Sequence, residues 1–141
     1  MFRTARETLR NSLSRIRNRQ FLDATMAATA LVAMADGEVT FSELSALDAV
    51  LESVKDLQIY DPHIAVDRYK DFADEIANDP ESGRRAAMAA VRKIAGDQDA
   101  AELVIRVAVA ISKADGELSP LEARSISDLC GILGVPVPTT T

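Results

Sequence analysis

The chain has 141 residues, 48% of them hydrophobic and 27% charged, with a formal net charge of −6. That length accommodates one domain, able to bury roughly 70% of its unfolded surface without cross-links, and the negative balance argues against a general nucleic-acid binder. A lone cysteine, Cys130, excludes an intramolecular disulfide, and the apolar runs "ALVAMA" and "LVIRVAVAI" fall short of the ~18 to 20 residues that a bilayer crossing needs.

Charge is distributed unevenly. Residues 1–22 hold Arg3, Arg6, Arg10, Arg15, Arg17 and Arg19 against Glu7 alone, a net charge of +5, which leaves −11 for the other 119 residues. Phe2, Ala5, Leu9, Leu13 and Ile16 recur at three- and four-residue steps within this stretch, so a basic amphipathic helix is expected from Arg3 to about Asn18. Three readings of it stand side by side. It packs on the domain's own core, it attaches to an anionic membrane surface or acidic partner through those six arginines, or it is a targeting segment, although no cleavage point is marked.

Alanine and leucine are abundant, and glycine and proline sit at punctuation points, so the expected class is all-α, a single-domain bundle of about seven helices. The divisions expected are the basic helix over 1–19, the helical domain over 20–135 and a loose, proline-containing tail over 136–141. The second helix, about Gln20 to Met34, is apolar nearly all round, which marks a central buried element. The third starts with a Thr40/Glu43 capping box and places Leu44, Leu47, Val50, Leu51 and Val54 on one face. Asp61 followed by Pro62 opens a fourth helix whose inward stripe is Ala65, Tyr69, Phe72, Ala73 and Ile76. Asp79 and Pro80 repeat that device for a fifth, with Ala87, Ala90, Val91 and Ile94 inward and a stop at Gly96. The sixth, about Gln98 to Lys113, is again largely apolar. Ser119, Pro120 and Glu122 open the seventh, which ends near Gly131 or Gly134 and holds Cys130 as core filler, in keeping with a reducing, cytoplasmic setting.

An internal repeat underlies this pattern. "ADGEVTFSE" (Ala35 to Glu43) returns 79 positions later as "ADGELSPLE" (Ala114 to Glu122), and the same offset sets Ile126, Leu129, Cys130 and Leu133 on Leu47, Val50, Leu51 and Val54. Each half reads as buried helix, acidic loop and capped amphipathic helix. A pseudo-twofold packing of the halves would bring both loops to one end of the bundle.

Each loop matches the second half of a calcium-binding EF-hand loop: aspartate at position five, glycine at six, an aliphatic at eight, a hydroxyl at nine and glutamate at twelve. The first half is missing, because positions one and three fall on Val32 and Met34 in one copy and on Ile111 and Lys113 in the other. Calcium wants six to eight oxygens, so neither loop forms an ordinary EF-hand, but the two could pool ligands. The pooled set is Asp36, Glu43, Asp115 and Glu122, with Glu38 and Glu117 close by or supplying carbonyls. Such an all-oxygen set favours calcium or magnesium over zinc. The competing reading needs no metal: Glu43 and Glu122 are N3 capping residues, stabilised by the helix dipole. Asp36 and Asp115 lie four residues before their N-caps, too far to cap, and that weighs toward the cation.

Catalysis is not expected. His63, the lone histidine, stands beside Pro62 at a helix start and reads as a surface residue, and no phosphate-binding glycine loop, nucleophile elbow or Cys-His pairing is seen.

The stretches "FLDATMAATALVAMADGEVTFSE" and "VAVAISKADGELSPLEARSISDLCGILGV" resemble the tellurite resistance protein TerB family, which also occurs as a TerB-like domain in a membrane-anchored DnaJ-like chaperone. The resemblance covers roughly residues 20 to 135. It implies an all-helical bundle, a role in bacterial resistance to tellurite and related stress, and a metal site on Asp36, Glu43, Asp115 and Glu122. It also implies partners from the tellurite system, including an integral membrane protein of the TerC kind, which the basic first helix would suit. No reaction comes with it.

Overall fold

The computed structural model describes the backbone of residues 5–37, 41–53 and 62–138, and the side chains of these except 5–17, 41, 42, 53 and 115. Six α-helices and two short 3-10 turns make up the described residues, with no strand among them: α1 (Ala5–Ala33), a first 3-10 turn (Met34–Asp36), α2 (Phe41–Ser53), α3 (Pro62–Asn78), α4 (Pro80–Arg92), α5 (Gln98–Ser112), a second 3-10 turn (Lys113–Asp115) and α6 (Pro120–Leu133).

The expected first and second helices are one. α1 runs unbroken for 29 residues, about 43 Å, and the division expected at residue 19/20 falls inside it. The physical reason lies in the sequence: no glycine or proline occurs between residues 5 and 33, and isolated Asn or Ser residues lower helix propensity without ending a helix. Its second half is the centre of the molecule. Leu22, Ala24, Met26, Ala27, Ala28 and every residue from Ala30 to Met34 are buried, and α3, α4, α5 and α6 all pack on α1. The polar residues there are satisfied locally, since Thr25 and Thr29 each donate a 2.7 Å hydrogen bond to the carbonyl four residues back. Asp23 faces Arg68 of α3 in a two-pronged ion pair, with N–O distances of 2.9 and 3.1 Å.

The inward faces read from periodicity are those observed. Leu47 and Leu51 of α2 are buried and Leu44 and Val50 partly so, while Val54 lies outside the described residues. Ala65, Tyr69, Ala73 and Ile76 of α3, Ala87, Ala90 and Val91 of α4, Ile94 beyond it, and Ile126, Leu129, Cys130 and Leu133 of α6 all enter the core, with Phe72 partly buried beside them. Asp79 alone separates α3 from α4. Its side chain accepts the Ser82 amide at 3.2 Å, and Pro80 takes the first helical position. The two helices then fold back so closely that a β-carbon at Gly83 would lie 2.5 Å from the backbone of Glu75 and Ile76.

α6 ends at Gly134, whose amide bonds the Cys130 carbonyl, and residues 135–138 form no helix. Residues 139–141 of the expected tail, and the Asp61 N-cap, lie outside the described residues. No described helix is long and apolar enough to cross a membrane.

Candidate functional site

Both acidic loops begin alike. Each long buried helix tightens into a 3-10 turn ending on the repeated aspartate, and the following glycine, Gly37 or Gly116, donates its amide to the carbonyl three residues back at 3.0 and 2.9 Å. Both glycines have strongly positive φ, 94° and 124°, which a side chain would strain. Beyond them the chains part, for ψ is −6° at Gly37 and −116° at Gly116.

The helix after each loop packs on the 3-10 turn of the other: α2 lies against Lys113–Asp115 and α6 against Met34–Asp36. This reciprocal exchange joins elements far apart in sequence. Its best-defined contact is made by Ser119, the α6 N-cap, whose Oγ donates to the carboxylate of Asp36, equidistant from its two oxygens at 3.0 Å. The same Oγ accepts the Glu122 amide at 3.1 Å, while Glu122 Oε1 accepts the Ser119 amide at 2.9 Å, completing the capping box. Asp36 of the first loop and Glu122 of the second therefore meet through one hydroxyl.

The two repeated glutamates are both inside the protein. Glu43 is 3% exposed and Glu122 7% exposed, unusual for residue types that normally face water. Tyr69 of α3, a helix that packs on α2, is fully buried. Burial, and after it the negative charges of Glu43 and then Glu122, push the ionisation of its phenol far above the ordinary range. No hydrogen-bond partner for the Tyr69 hydroxyl is found among the described residues, nor for the buried Ser112 Oγ that precedes the second 3-10 turn.

Of the residues expected to hold a cation, the structure links Asp36 to Glu122 through Ser119 and buries Glu43 and Glu122, with Asp36 and Glu117 exposed. Glu38, Thr40 and the side chain of Asp115 lie outside the described residues, and among those described no three acidic, imidazole or thiol groups form a ready-made ion cage. Of the arginines expected to meet a membrane or partner, Arg19 is exposed on α1, whereas Arg3 and the side chains of Arg6, Arg10, Arg15 and Arg17 lie outside the described residues. His63 is exposed, as its place beside Pro62 suggests. Two participants were not legible as such. Ser119 reads from sequence as a cap alone, and Tyr69 as one more member of an apolar stripe; its hydroxyl, the one polar atom in that stripe, is the signal that could have marked it.

Fold and site define an all-α module with two repeated acidic turns, each packed against the helix that follows the other. The model of the family described as tellurite resistance protein TerB matches residues 22–139, and the chain belongs to that family. It is similar to the Tellurium resistance protein TerB of Alcaligenes sp, 24% identical over 106 residues, covering 75% of this chain and 87% of that one. No solved structure matches it significantly. Membership makes this a tellurite-resistance-related protein.

Proposed function

We propose that the chain is a non-enzymatic, divalent-cation-binding module of a bacterial tellurite-resistance and stress response, working in the cytoplasm as a scaffold for a complex at the inner membrane. The cation is calcium or magnesium ahead of zinc. Asp36, Glu43, Asp115 and Glu122 hold it, with Glu38 and Glu117 alongside. The observation that carries this reading is the Ser119–Asp36 hydrogen bond, because it ties a carboxylate of one loop to the helix start of the other, 83 residues away. The reciprocal packing of α2 and α6 on the opposite turns also fits a pseudo-twofold relation between the halves. The donor set suits a hard ion: every side chain offers oxygen, none nitrogen or sulfur. When bound, the cation would neutralise carboxylates that otherwise repel one another at one end of the bundle. The chain's own part is to present these oxygens from two 3-10 turns and the helix starts that follow them, and to keep Glu43 and Glu122 out of water.

Scaffolding follows from the same reading. The six arginines of residues 1–19 place positive charge at one end of an otherwise acidic chain, suited to anionic lipid or to an acidic face of a TerC-like membrane partner.

A second reading, a metal-independent helical interaction module, is favoured by one observation. Ser119 already satisfies Asp36 and Glu122 without any ion, in a complete capping box. Thermal melting with calcium, magnesium or chelator separates the two. A cation at about a hundred times its Kd stabilises by about 2.7 kcal/mol and raises the melting temperature by roughly 5 to 10 °C. Asp115→Asn abolishes that rise under the first reading. No shift at millimolar ion leaves the interaction module standing.

A further inference from the structure

Among the described residues three large apolar side chains are exposed: Ile64 on α3, Leu121 on α6 and Val137 beyond it. Leu121 stands on the rim of a cleft of about 220 Å³ between α4 and α6, two helices that both pack on α1 and meet each other only at the margin. The floor of the cleft is apolar, made by the buried Leu31 and Leu129 and the half-buried Met88. Its rim carries the exposed guanidinium groups of Arg84 and Arg124, one from each helix, and neither forms an ion pair among the described residues. Asp128 also lines the cleft, so two arginines against one aspartate leave a positive opening on an acidic chain. The volume is below the ~300 to 1,000 Å³ of typical small-molecule pockets, and suits a single side chain presented by a macromolecule.

Ile64 offers the complementary shape and charge. It lies at the exposed start of α3, and Asp67, Asp71 and Glu75 follow it at three- and four-residue steps along one face, all exposed and none in an ion pair among the described residues. Arg68, on the same side of the helix, does not offset them, because it is committed to Asp23 of α1. An apolar tip followed by a row of carboxylates is the counterpart of a cleft with an apolar floor and a cationic rim.

We propose that the chain self-associates head to tail: Ile64 of one copy seats in the α4–α6 cleft of a second, with Asp67 and Asp71 facing Arg84 and Arg124. The two surfaces differ, so the contact is heterologous, and each added copy brings one cleft and one Ile64 face. Withdrawal of Ile64 from water supplies the apolar part of the attraction, while the opposed charges set the register. The contact is small, so the association is weak and reversible. It stands apart from the cation reading, since neither surface contains a residue of the acidic loops.

Sedimentation equilibrium of the full chain at low salt, from about 10 µM to about 1 mM, is the test for so weak a contact. The average mass is expected to climb above the 15.2 kDa of one chain as concentration rises. In about 0.5 M salt, where the Debye length shrinks to about 4 Å, it should fall back. Ile64→Asp, and separately Arg84→Glu combined with Arg124→Glu, alter exposed side chains, so each is expected to keep the helical circular dichroism and to weaken association at least about tenfold. Mixing the two variants gives the sharper readout. The first keeps an intact cleft and the second an intact Ile64 face, so the mixture should form pairs although neither variant associates alone. A wild type that remains at the mass of one chain throughout overturns the proposal. Association that survives in either variant, or a mixture that stays monomeric, overturns it equally.

Discussion

The Ser119 hydroxyl lies 3.0 Å from both carboxylate oxygens of Asp36 and 3.1 Å from the Glu122 amide, so one side chain closes a helix start and joins two halves of the polypeptide. Ser119→Ala removes both functions. Loss of the cap alone costs about 1 to 2 kcal/mol. Asp36→Asn keeps the cap and the hydrogen-bonding capacity of its side chain, so it is expected to cost under about 1 kcal/mol at this exposed position. Urea unfolding of Ser119→Ala, Asp36→Ala and the double variant should show non-additivity, because each single variant deletes the shared contact. Strict additivity would mean that the Ser119–Asp36 bond is absent in solution.

Two helical glycines should respond to alanine in opposite directions. Gly131 sits in α6 with open space where a methyl group would stand, nothing lying within 4 Å, so Gly131→Ala should stabilise by about 0.5 to 1 kcal/mol through helix propensity. At Gly83 the same methyl would meet backbone atoms of α3 at 2.5 Å, and backbone cannot swing aside as a side chain can. Gly83→Ala is expected to destabilise by about 1 to 3 kcal/mol. Paired melting curves check the contrast. Stabilisation by both variants would refute the close approach of α3 and α4.

Alkaline stability follows from Tyr69. Its phenol ionises far above its ordinary value of about 10 in the folded state, so the unfolded chain loses this proton first. Between the unfolded and folded values the unfolded state binds fewer protons than the native state, and stability falls as pH rises. The contribution is full below about pH 10 and declines above it. In a Tyr60→Phe protein, phenolate absorbance should therefore appear together with loss of the helical circular dichroism signal. Phenolate formation in a still-folded protein would contradict the burial of Tyr69. The Cys130 thiol, 1% exposed and likewise shifted upward by burial, should resist alkylation until the same transition.

Membrane attachment through the first helix is separable from folding by charge alone. Changing Arg3, Arg6 and Arg10 to glutamine keeps the apolar stripe while removing about 3 kcal/mol of attraction to an anionic surface, roughly a hundredfold in affinity. Sedimentation with phosphatidylglycerol vesicles at low salt should show that loss. Equal sedimentation of variant and wild type would end the attachment reading.

Much of the bundle could be read from local rules. The apolar faces of α2, α3, α4 and α6 follow a 3.6-residue period, and the starts at Asp79, Asp97 and Ser119 are capped by side chains that reach the third amide along, contacts that need no distant partner. The break expected near residue 19 did not occur, because a change of composition from basic to apolar is no signal to end a helix when neither glycine nor proline intervenes.

The order of the helices, their inward faces, the twin acidic turns and the family were determined by the sequence, since propensity, capping and repetition act over a few residues at a time. Tertiary structure alone decided that α2 and α6 exchange turns, that Ser119 reaches Asp36, and that Glu43, Glu122 and the Tyr69 hydroxyl are buried. The contact between Ser119 and Asp36 spans 83 residues. These arrangements are set by how whole helices fill space around α1, and no local pattern encodes which side chains that packing brings face to face.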